Sequence, residues 1–151
     1  MKQRNVMEQF QRSITYGVTA GEDGRMTLRS LLQDRFHDIE AIIIADIASL
    51  EIVDSRVEFR RAPTSDCPKA IERLELLNGF VIGPGLSRKL AEVFGGPTGC
   101  GNLRTMLAGL LPLALNLQAA AGLRDDEEAI AAIHEKLLGT CAGYPRPEED
   151  R

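Results

Sequence analysis

The sequence predicts an α+β fold, in which an N-terminal antiparallel meander of three to four strands carries a helical layer packed on one face. Three observations predict it. Alternating and β-branched segments fill residues from about 10 to 62, and helical periodicity with stop residues fills those from about 67 to 139. No repeat or linker-like stretch divides the 151 residues, so one domain spanning 1–151 is expected.

The strands come first. "RSITYGVTA", the turn signal "GEDG" and "RMTLRSLL" read as a β-hairpin. "DRFHD" breaks the pattern before "IEAIIIAD", whose β-branched run suits a strand. "LEIVDSRVEFRRA" follows, with Val53, Val57 and Phe59 expected on one side, and Pro63 ends it. The cluster Arg56, Arg60 and Arg61 belongs to the polar face and end of that strand.

The helices follow. "DCPKAIERLELLNG" has Pro68 at a first helical position and Gly79 as its stop, with Ile71, Leu74 and Leu77 on the apolar face. "LSRKLAEVFGG" is a short helix, with Ser87 as its cap and Gly95 as its end. The stretch Asn102 to Ala121 is apolar nearly all round, which places it in the core or at a dimer interface, and Pro112 kinks or splits it. "RDDEEAIAAIHEKLLG" opens with acids that suit a helix N-terminus and closes at Gly139; His134 lies at the edge of its apolar stripe. Residues 145–151 are expected to fray.

Composition excludes several classes. The net charge of −4 leaves no basic footprint for nucleic acid. The first residues lack the apolar core of a secretory signal, and the most apolar run, Met106 to Leu123, is interrupted by Pro112, Asn116 and Gln118, so no membrane span is expected. Three cysteines, an odd number, argue for reduced thiols and a cytoplasmic setting rather than a disulfide framework.

The informative stretch is "GGPTGCGNL". Gly95, Gly96, Gly99 and Gly101 permit a tight loop, with Asn102 in the turn that follows. Cys100 and Cys67 each stand at a predicted helix start, where free amides and the helix dipole favour the thiolate that binds metals or attacks electrophiles. Cys141 sits in a small-residue turn after the last helix, and His37 in a polar turn before a strand, beside Asp38. The loop has neither the Gly-Lys-Ser/Thr of a phosphate loop nor the preceding strand of a dinucleotide fingerprint, and the chain has no nucleophile elbow. No C-x-x-C pair supports a zinc ribbon.

"FHDIEAIIIAD", "AP", "DCP", "GGPTGCGNL" and "LLGTCAGY", in that order, resemble the bacterial family DUF2889, domains of unknown function, over most of the chain. The resemblance implies no activity; members commonly carry histidine where this chain has Asn102. A looser similarity of layout, a small antiparallel sheet followed by a cysteine-headed helix, is to iron–sulfur scaffold proteins of the NifU-like type. It implies cysteine ligands for a cluster or for zinc.

Three readings follow. The first is a binding module with Cys67, Cys100, Cys141 and His37 around zinc or an iron–sulfur cluster, which requires the sulfurs to converge. The second is a non-catalytic homo-oligomer joined through the apolar helix, with structural cysteines. The third is a thiol enzyme with Cys100 as nucleophile, assisted by Asn102 or His37.

Overall fold

A computed structural model describes residues 8–148 of the chain. Its first half is a four-stranded antiparallel meander: β1 (Ser13–Ala20), β2 (Arg25–Gln33), β3 (Asp38–Asp46) and β4 (Ile52–Arg61), side by side in chain order. β1 pairs β2 without interruption, from Ser13 opposite Gln33 to Ala20 opposite Met26. β2 pairs β3 as regularly, from Arg25 opposite Asp46 to Gln33 opposite Asp38. Strand side chains alternate faces, so one face collects Met26, Leu28 and Leu32 with Ile39, Ala41, Ile43 and Ala45. The opposite face carries the charged residues, among them Arg29, whose guanidinium bonds Glu40.

β4 departs from the simple alternation. Its pairing with β3 shifts between Asp38 and Ile39 and again between Ile44 and Ala45. Ile52 therefore lies buried opposite Ala45, and Val53 is 37% exposed. The expectation that Val53 shares a side with Val57 and Phe59 fails here, because an irregularity of one residue reverses every side chain beyond it.

The helical half covers the apolar face. Cys67–Leu77 is a 3₁₀ helix rather than an α-helix. The reason lies in its spacing: Ile71, Leu74 and Leu77 recur every third residue, and at three residues per turn such positions stack on one side. The α-helices are α1 (Leu86–Phe94), α2 (Gly101–Leu110), α3 (Leu113–Ala120) and α4 (Asp126–Lys136). α1 starts after Gly85, whose φ of 87° is left-handed, and no side chain caps it; Ser87 lies inside the helix, not at its cap. Pro112 divides the apolar stretch into α2 and α3. Asp125 caps α4 by accepting from the Glu127 N–H at 2.8 Å.

Leu103, Met106, Leu107, Leu110 and Leu111 are fully buried, so α2 spends its apolar side within the chain's own core. It approaches β1 closely. A Cβ at Gly109 would overlap the ring and hydroxyl of Tyr16, so the tyrosine in its present position rests against the bare Cα of this glycine. α3 buries only Ala114 completely, and α4 buries no residue completely. The frayed tail expected over 145–151 falls partly outside the described residues. Among those described, no helix is long and apolar enough to cross a membrane.

Candidate functional site: a thiol-lined cleft beside a buried carboxylate

The glycine-rich loop is a tight connection between α1 and α2. A Cβ at Gly95 would strike the carbonyl of Ala91, and one at Gly99 the carbonyl of Phe94. Gly96 has a φ of +73°. The loop thus folds back over the last turn of α1, and these three positions demand glycine for steric and conformational reasons. Its effect is to fix Cys100, which adopts an extended conformation (φ −148°) immediately before α2 and offers no side-chain cap.

Cys67 opens the 3₁₀ helix, with its Sγ 3.4 Å from Thr64 Oγ1. Both cysteines line one cleft of about 650 Å³, with Asp66, Thr98 and Gly99 at its walls. Both are half-buried, and neither is in a disulfide. The charged groups of this cleft are largely engaged. Lys69 pairs with Asp66 at 2.6 Å. Arg73 donates to the carbonyls of Val93 (2.6 Å) and Glu92 (3.1 Å), which satisfies the C-terminal end of α1 and ties it to the 3₁₀ helix. Glu72 is exposed at the same cleft with no ion pair among the described residues, and the two thiols are the soft donors the cleft presents.

On the other side of the α2 start lies a buried carboxylate. The Asp34 side chain is fully buried. Its Oδ2 accepts from Arg12 Nε, and its Oδ1 from the backbone N–H groups of Phe36 and His37, each at 2.8 Å. His37 Nδ1 stands 2.9 Å from Oδ1. Burial pushes the Asp34 carboxyl up, but the hydrogen bonds from His37, Phe36 and Arg12 outweigh it and hold it down to about 2. Arg61 closes the turn by donating to the carbonyl of Asp34 at 2.7 Å. Arg12 also donates through Nη1 to Asn102 Oδ1 at 3.0 Å, which links this cluster to the first turn of α2.

Residues 10–115 match DUF2889, a family of proteins of unknown function. The chain belongs to the DUF2889 family. The matched span includes Arg12, Asp34, His37, Cys67, Cys100 and Asn102, and it ends before Cys141. No match was found among curated proteins or among solved structures, and nothing in these comparisons supports the likeness to NifU-like scaffolds.

Within this DUF2889 fold the four expected metal ligands do not form one set. Cys67 and Cys100 share a cleft, His37 is turned to Asp34, and Cys141 lies exposed in the turn after α4. Among the described residues no group of three or more His, Cys, Asp or Glu side chains is placed to hold a metal ion. The donors do not fit a closed zinc or iron–sulfur centre, which takes four. Nor is Cys100 hydrogen-bonded to His37 or Asn102 among the described residues; His37 Nδ1 faces Asp34, and Asn102 Oδ1 accepts from Arg12. Sequence reasoning missed Arg12, Asp34 and Arg61. The signal for Asp34 was present in "DRFH", since an aspartate two and three residues before free amides forms an Asx-type turn.

Proposed function

We propose that this DUF2889 chain is a small binding module that holds a thiol-seeking ligand in the cleft between Cys67 and Cys100. The observation that carries this reading is that two cysteines far apart in sequence open on one cleft. Soft thiolate donors select soft ions and electrophiles over hard ones. The cleft supplies two protein sulfurs, so a bound ion keeps open positions for its own further ligands. Cys141 and His37 stand outside this site.

The reading is tested with wild type and the variants Cys67→Ser, Cys100→Ser and Cys141→Ser. Elemental analysis after anaerobic purification reads the ion, and stoichiometric labelling with a small electrophile reads thiol access. Retention of zinc, copper or iron that is lost in C67S and C100S and kept in C141S supports a soft ion. Labelling of one cleft thiol that protects the other, without retained metal, supports an organic electrophile. Metal and labelling confined to Cys141, or two cleft thiols that react independently, overturn the proposal.

A further inference from the structure

The two edges of the sheet are built differently. β4 carries Asp54, Arg56, Glu58, Arg60 and Arg61, its pairing with β3 is twice shifted, and the 3₁₀ helix packs against it. Charges, irregular register and a covering element are the devices by which proteins keep an edge strand from pairing again. β1 has none of the first two: "SITYGVTA" contains no charged residue and no proline, and its register is unbroken over eight residues. The helices α2 and α3 lie against β1. They do so from its inner face, where Tyr16 meets Gly109, and that leaves the strand's outer edge uncovered among the described residues. The inner-face side chains stay partly open, with Ile14 and Val18 half-buried and Tyr16 39% exposed.

We propose that β1 is the interface with a second copy of this chain, pairing antiparallel across a two-fold axis at Gly17 to join two sheets into one. The occupant follows from the strand itself. A two-fold contact sets each residue of a strand against another residue of the same strand. In β1, which carries no charged residue, that brings no like charges together in any register. With the axis at Gly17, Tyr16 stands opposite Val18 and Ile14 opposite Ala20 on the inner face, and Thr15 opposite Thr19 on the outer face. The parity keeps every apolar residue on the covered side. Gly17 has open space around its Cα, so the axis is unobstructed. The same operation draws the two α3 helices, with Leu113, Leu115 and Leu117 only half-buried, toward one another over the joined sheet. The homo-oligomer expected from the apolar helix is thereby assigned to the edge strand, with α3 as its flank.

The test is the molar mass in solution by light scattering. Wild type is expected to run as two chains. The double variants T15K/T19K and T15E/T19E, which set like charges opposite one another, are each expected to run as one chain with an unchanged circular dichroism spectrum. Their equimolar mixture is expected to restore two chains, since opposite charges then meet. A monomeric wild type overturns the proposal. A dimer that persists in both variants also overturns it and moves the interface elsewhere. If either variant fails to fold, Gly17→Cys decides instead: oxidation must give a cross-link between two chains, and its absence refutes the axis.

Discussion

Arg12 and Asn102 are ninety positions apart, yet Arg12 Nη1 donates to Asn102 Oδ1 at 3.0 Å while its Nε holds the buried Asp34. One arginine thus connects the turn between β2 and β3 to the first turn of α2, beside Cys100. The hydrogen bond to Asn102 is exposed, whereas the pair with Asp34 is shielded on the carboxylate side. Asn102→Ala is therefore expected to cost under about 1 kcal/mol, and Arg12→Ala about 1.5–3 kcal/mol, because the latter removes a charged donor from a buried carboxylate that keeps its bonds to Phe36 and His37. Denaturant unfolding of the two variants checks the ranking, and equal costs would contradict it.

Asp34 should also set the acid limit of the fold. Its carboxyl is held at about 2 in the folded chain against 3.8 when free. A depressed carboxyl stabilises the fold above its unfolded value, and this contribution is lost as the pH falls from about 4 toward 2. Thermal melts of wild type should therefore drop through that interval, and Asp34→Asn should lower stability at neutral pH and flatten the drop. A variant with the same acid profile as wild type would remove Asp34 from this role.

Gly109 and Tyr16 give a steric prediction. Gly109→Ala places a methyl group against the end of the Tyr16 side chain, which is 39% exposed and can swing aside, so the change should cost no more than about 1 kcal/mol. Truncating the partner as well, in Tyr16→Ala with Gly109→Ala, should recover much of that loss. The double-mutant cycle measures it, and strictly additive costs would show that the two residues do not meet.

These residues also show what the sequence made legible. The strands, the split at Pro112 and the acidic start of α4 depend on local spacing and local chemistry, which a single chain displays. The β4 irregularity is not local: it arises from how Ile52 meets Ala45 across the sheet, and the segment alone shows only its alternation. The 3₁₀ helix was half legible, since the spacing of Ile71, Leu74 and Leu77 was plain but three and four residues per turn are hard to separate in so short a run. At the site, Cys67 and Cys100 stood out by their neighbours, and their shared cleft is a tertiary fact. Arg12 was invisible because its partners lie in two distant segments.

Ser30 completes the argument from the core. It is fully buried on the inner face of β2, opposite Tyr16 and Ala41, and its hydroxyl has no hydrogen-bond partner among the described residues. A buried hydroxyl without a partner pays its desolvation with no return. The position is therefore expected to select for a small side chain rather than a polar one. Ser30→Ala keeps the size and removes the orphaned oxygen, so it should raise stability by about 1 kcal/mol. Ser30→Val keeps the apolar character but adds bulk beneath the helix, and should lower stability by about 1–3 kcal/mol. Urea unfolding of both variants separates the two demands. A loss of stability in Ser30→Ala would mean that the hydroxyl serves a partner in solution, and the small-residue reading of this position would then fail.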